Sequence, residues 1–181
     1  MDPERAFLAS LEWLRAHYGN YRFFAERGVV WTLQENLCPR LAEERALHLV
    51  FNDFPMLKGS GRSLSADLAV VDANGIVALA AEFKYEPDHG RGGVRGEIWP
   101  TKLDPSVVFW GPQGVQKDVQ RVRDFVEAGR TPVAYCVFLD EGGLFRHRAP
   151  HPGTEWQDWV CGGSRPRKVS VLIGCYGKSG I

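Results

Sequence analysis

The sequence predicts an α/β domain with a mixed central sheet flanked by helices, and three observations carry that prediction. Residues 65–84, SADLAVVDANGIVALAAEFK, hold two apolar runs around Asn74-Gly75, the signal for a tight antiparallel hairpin. Residues 115–128 place Val115, Val119, Val122 and Val126 on one face of a helix, and 132–140 form an apolar run of strand length. Read end to end, the order is helix, three strands, helix, strand and a strand-rich tail.

Taken in order, Asp2 is a natural N-cap with Pro3 as the first helical residue, and Phe7, Leu11, Leu14 and Tyr18 recur at helical spacing until Gly19. A second helix is expected over 24–37. Pro39 either kinks it or opens a further helix through Leu49, because 40–46 is rich in helix formers. A short strand at 47–53 leads through a turn-like Asn52-Asp53-Phe54-Pro55 into a loop at 58–63. After the hairpin, 87–112 turns to Gly, Pro and Arg and reads as a long surface loop, broken by a short strand at 107–110. The helix at 115–128 stops at Gly129. A strand at 132–140, a turn at 141–143, a partner strand at 144–148 and a last strand at 169–176 complete the chain.

The hairpin has a chemical consequence. With Asn74 and Gly75 as a two-residue loop, both at positive φ, Ala73 faces Ile76 and Asp67 falls directly across from Glu82. Lys84 lies two residues on along the same face. An odd-length loop would instead separate the two acids. Facing side chains have Cβ atoms roughly 4.5–5.5 Å apart, so two carboxylates would repel unless a divalent cation bridged them or Lys84 offset their charge. The second strand is apolar on both faces, with Ile76, Ala78 and Ala80 on one and Val77, Leu79, Ala81 and Phe83 on the other, which marks it as central and buried. Ions at the end of such a strand must be paired, bound to metal or opened to a cleft.

Composition sets the bounds. A chain of 181 residues with 44% hydrophobic content can bury one ample core, so residues 1–181 are read as a single domain. Net charge is zero, but residues 1–83 carry 8 basic against 11 acidic side chains and residues 84–181 carry 14 against 11. That balance excludes the strongly cationic character of many nucleic-acid binders and leaves binding to local patches. Cys38, Cys136, Cys161 and Cys175 are dispersed, with no CxxC pair, and read as reduced thiols. No targeting or bilayer-spanning run is visible, so a soluble, cytoplasmic protein is expected.

Asp67, followed on the next strand by Glu82 and Lys84 as an ExK triplet in this order of elements, resembles the PD-(D/E)XK superfamily. These are restriction-endonuclease-like nucleases with an αβββαβ core, and the resemblance spans roughly residues 29–140. A proline usually precedes the family's aspartate; here the residue is Ala66. The resemblance implies that Asp67 and Glu82 hold Mg²⁺, with Mn²⁺ as a substitute, and that Lys84 acts on the attacking water or the phosphate. It also implies a glutamate from the preceding helix, which could be Glu35, Glu43 or Glu44. Glu35 is favoured, because Trp31, Leu33 and Leu37 around it suggest a buried helix. The implied activity is metal-dependent phosphodiester hydrolysis, with DNA ahead of RNA as substrate. The residue types suit that chemistry on their own account: carboxylates are hard oxygen ligands, and an ammonium stabilises charge gathered on a phosphate in the transition state. The alternative is a catalytically silent nuclease-like domain that binds nucleic acid or a protein partner.

Other candidates are secondary. Lys117, near Gln116 and Gln120, is expected to face the catalytic end of the sheet, and Arg91 and Arg95, beside His89, to contact a phosphate backbone. His147 and His151 have HxxxH spacing, but Pro150 and Pro152 prevent the helix a zinc site would need, so they are read as surface or phosphate-facing residues. The glycines of 90–96 lack the spacing of a phosphate-binding loop. Trp99, Trp110, Trp156 and Trp159 are read as core or interface anchors ahead of base-stacking platforms. A homodimer is compatible with this reading.

Overall fold

The computed structural model of the chain describes residues 2–42, 47–61, 63–88 and 105–177. Glu43, Glu44, His89, Arg91, Arg95 and Trp99, singled out above, lie outside the described residues. Helix α1 spans Pro3–His17, where the Asp2 carboxylate accepts from the Arg5 amide and Phe7, Leu11 and Leu14 are buried. A short 3₁₀ turn, Tyr18–Asn20, ends it. Glycine is required at position 19, since a Cβ there would lie 2.3 Å from the Arg165 carbonyl oxygen. Helix α2 covers Glu26–Ala42 without a break at Pro39. Its core-facing residues, Val29, Val30, Leu33, Leu37 and Leu41, recur at helical spacing.

Strands β1 (His48–Leu57), β2 (Leu64–Asp72) and β3 (Val77–Glu86) form an antiparallel meander. A short helix α3, Pro105–Val108, stands where a strand was expected, and α4 runs Val115–Glu127. Strand β4, Val133–Asp140, is buried along its whole length and pairs parallel with β3. Parallel pairing needs a crossover, and α4 lies within it. Strands β5 (Thr154–Cys161) and β6 (Arg167–Gly177) complete one six-stranded mixed sheet in the order β1-β2-β3-β4-β6-β5. Residues 144–148, expected as a strand, are bends and turns, because Asp140 takes the Leu144 and Phe145 amides on its carboxylate. The antiparallel partner of β4 is instead β6, which pairs on its other side with β5.

The sheet separates two apolar layers. Helices α1 and α2 cover one face with Leu68, Leu79, Phe83 and Val137, while α4 and Phe109 cover the other with Ala69, Ala80, Cys136 and Phe138. The four cysteines are free thiols. Among the described residues no helix is long and apolar enough to cross a membrane.

The hairpin reaches the expected register by an unexpected route. Its loop has three residues, Ala73 to Gly75, closed by Gly75 N–H to the Asp72 carbonyl (3.0 Å) and Asp72 N–H to the Ile76 carbonyl (2.9 Å). Gly75 has φ 79°, whereas Asn74 stays at negative φ. An odd loop would have put Asp67 and Glu82 on opposite faces. Val71 faces Val77 but Val70 faces Leu79, so Ala78 is an extra residue, a bulge that restores the alternation. Beyond it Leu68 faces Ala81, the last pair of the ladder, and Asp67 and Glu82 stand one step further along the same register.

Candidate active site

Buried strands bring acids to a point where the sheet opens. Beyond Leu68 and Ala81 the β2–β3 pairing ends, and the Asp67 carboxylate accepts from the Phe83 amide at 2.7 Å. On the other side of Asp67, Asp53 of β1 lies between the pairs Asn52–Leu68 and Phe54–Ala66 and adopts φ 52°, a left-handed conformation that aspartate tolerates better than most residues. Glu82 follows on β3 with its side chain 1% exposed. One of its oxygens, Oε2, lies 3.3 Å from Arg121 of α4, while Oε1 is buried without a hydrogen-bond partner.

Lys84 is held between two further acids. Its Nζ lies 2.9 Å from Glu26 Oε2 at the start of α2 and 3.6 Å from Asp118 Oδ2 on α4. Asp118, 1% exposed, also meets Lys117 Nζ at 2.8 Å. The cluster therefore joins Glu26, Asp67, Glu82 and Asp118 with Lys84, Lys117 and Arg121: four carboxylates and three cations from β2, β3 and both flanking helices.

Electrostatics record the crowding. Burial, joined by the nearby Glu26 charge, raises the Asp67 carboxyl to about 7, against the hydrogen bond from Phe83. Burial also pushes Glu82 well above the usual carboxylate range, with Asp67 and Asp118 adding to the shift and Arg121 and Lys117 opposing it. Burial works against the charge on Lys84, but Asp118 and Glu26 outweigh it and raise its value. The acids thus lack enough positive charge while Lys84 is firmly cationic.

Two clefts reach the cluster and meet at Glu26. One is lined by Arg27, Trp31, Asn52, Asp53 and Asp67, the other by Lys84, Glu86, Val107 and Gln113. Donor chemistry suits a hard divalent cation: Asp67 acts on Glu82 with like charge, and one oxygen, Glu82 Oε1, is buried and unpartnered. Among the described residues, no three His, Cys, Asp or Glu side chains already stand as a metal-binding group.

Of the residues singled out from sequence, Asp67, Glu82 and Lys84 are brought together and Lys117 joins them through Asp118. Glu35 does not. It is exposed, on the outward face of α2 with the half-exposed Trp31, because the helix buries 29, 30, 33, 37 and 41 instead. Glu26 is the helix glutamate that reaches the cluster, in helical step with Val30 and Leu33. Sequence reading missed Glu26, Asp118 and Arg121. Asp118 left a signal, an acid between Val115 and Val122 on the apolar stripe of α4. His151 is buried, its ring 4.4 Å from that of Phe109 and its Nε2–H donating to the Phe109 carbonyl, so it is not a surface residue. Trp159 is in the core, Trp156 stacks beside Phe109, and Trp110 is half exposed beneath Arg148.

Comparison of the chain with family models, with curated proteins and with solved structures returns no match.

Proposed function

We propose that the protein is a divalent-metal-dependent nuclease that hydrolyses phosphodiester bonds, with DNA the favoured substrate. One observation carries the reading: Asp67 and Glu82 meet at the opened end of a hairpin, one Glu82 oxygen is buried without a partner, and Lys84 stands two residues along the same strand. Helix, three strands, helix and strand also succeed one another as the PD-(D/E)XK resemblance implies.

In this reading Asp67 and Glu82 hold Mg²⁺ or Mn²⁺, and the metal supplies Lewis-acid stabilisation of charge on the phosphate. Lys84 supplies a fixed ammonium for the same developing charge. Glu26 and Asp118 hold that ammonium in place and keep it protonated, which leaves it a donor and not a base at neutral pH. Phe83 orients Asp67 through its backbone amide. Lys117 and Arg121, on the same helix, add positive charge beside the carboxylates.

A second reading, a nuclease-like domain that binds without cutting, is favoured by Arg121, whose guanidinium already pairs with the Glu82 carboxylate at 3.3 Å. Incubation of purified protein with plasmid and single-stranded DNA, in Mg²⁺, in Mn²⁺ and in chelator, separates the two. The nuclease reading expects metal-dependent cleavage that disappears in Lys84→Ala. Equal cleavage by wild type and Lys84→Ala, or none by wild type in either metal, overturns it.

A further inference from the structure

On the metal-dependent reading, the buried carboxylate cluster has to persist whenever no dication is bound. Glu82 is the most demanding member, since it comes from a central strand and both Asp67 and Asp118 press on it with like charge. Its Oε2 is met by the Arg121 guanidinium at 3.3 Å, and its Oε1 has no hydrogen-bond partner. Arg121 is not locked there. Its side chain is 21% exposed, it projects from the surface-facing helix α4, and it makes one contact to Glu82 where a guanidinium can make a two-pronged pair. Lys117, one turn earlier, is already engaged by Asp118 at 2.8 Å.

From this geometry we infer that Arg121 is the internal counter-cation of the carboxylate cluster. It neutralises Glu82 until a divalent ion arrives, is then displaced, and becomes free to contact a phosphate oxygen of the substrate. The inference rests on the metal-dependent reading above, and no covalent step is involved. A guanidinium suits both tasks, because it remains charged under all conditions and its planar donors match carboxylate and phosphate alike. Metal and Arg121 compete for the same carboxylate, so metal affinity in the native protein is lower than the carboxylates alone would give. Loss of Arg121 has opposite effects in the two states: the metal-free protein is left with an unpaired buried carboxylate, while the metal-bound protein loses only a competitor.

The test is Mn²⁺ binding by calorimetry, with thermal melts in chelator and in Mn²⁺, on wild type and Arg121→Gln. Competition predicts binding on the order of tenfold tighter in the variant, since a unit positive charge has been removed next to the dication. It also predicts a lower melting temperature in chelator and a larger gain on adding Mn²⁺. Equal or weaker binding by Arg121→Gln overturns the inference and leaves the metal reading intact. Binding by neither protein overturns the metal reading itself. Should Arg121→Gln fail to fold, Arg121→Met removes the same charge and provides the same comparison, with tighter Mn²⁺ binding again expected.

Discussion

Two buried glutamates near the carboxyl ends of the central parallel strands are treated in opposite ways. Glu141, immediately after β4, is fully buried and fully engaged: Oε1 accepts from the Tyr18 hydroxyl and from Arg167, each at 3.0 Å, and Oε2 accepts from the Asp88 amide at 3.3 Å. Its neighbour Asp140 takes two backbone amides. Glu82 on β3 is as deeply buried, yet it has one cation at 3.3 Å, an unpartnered oxygen and two further acids pressing on it. Burial of a carboxylate is tolerated when its lone pairs are filled. Glu141 ties the 3₁₀ turn after α1, the segment after β3 and the start of β6 together, whereas Glu82 is left incomplete beside Asp67 and Lys84, each of which lines a cleft. In the proposed nuclease, incompleteness, more than burial, marks the metal-binding carboxylate.

The largest effect that comparison predicts is on folding, at Glu141. Glu141→Ala strands Arg167 and the Tyr18 hydroxyl and should cost about 3–5 kcal/mol of stability in urea denaturation. Cleavage per folded molecule should be retained. Next is Lys84→Ala, which removes a preorganised donor and should lower the metal-dependent cleavage rate by about 10²–10³, equivalent to ~3–4 kcal/mol. Glu82→Gln reverses the Glu141 result. With the like-charge repulsion gone, the metal-free protein should melt higher, by about 2–4 °C for each kcal/mol relieved, while cleavage is lost. A lower melting temperature for Glu82→Gln would erase the distinction between the two glutamates.

A pH titration sharpens the contrast. Asp67 binds its proton more tightly folded, at about 7, than at its ordinary 3.8. Between those values the folded state holds more protons, so this contribution to stability is complete below about pH 4 and lost as pH rises through about 7. Melting temperature in chelator should therefore fall over that range, and Asp67→Asn should flatten the fall. The smallest effect is expected at Glu35, where Glu35→Gln should change stability by less than about 0.5 kcal/mol and leave cleavage unaltered. Glu26→Gln, by contrast, should slow cleavage by loosening Lys84.

What the sequence disclosed follows the range of its signals. The closeness of Asp67, Glu82 and Lys84 was legible because the hairpin is local. Even so, the register depended on two departures that cancel: a three-residue loop in place of two, and a bulge at Ala78. Glu35 misled because apolar neighbours on both sides do not fix which way a helical residue faces, and α2 turns Trp31 and Glu35 outward together. Glu26 was hidden by distance, since its role depends on α2 packing against a strand end 58 residues later in the chain. Residues 144–148 failed as a strand because a side-chain carboxylate, Asp140, took the amides that a strand would have paired.

The central claim is that Asp67 and Glu82 form one cation site, and calorimetric titration with Mn²⁺ of wild type, Asp67→Asn and Glu82→Gln tests it most directly. Wild type should bind saturably and both variants should lose that binding, each checked for folding by its melt. Undiminished Mn²⁺ binding in both folded variants would contradict it.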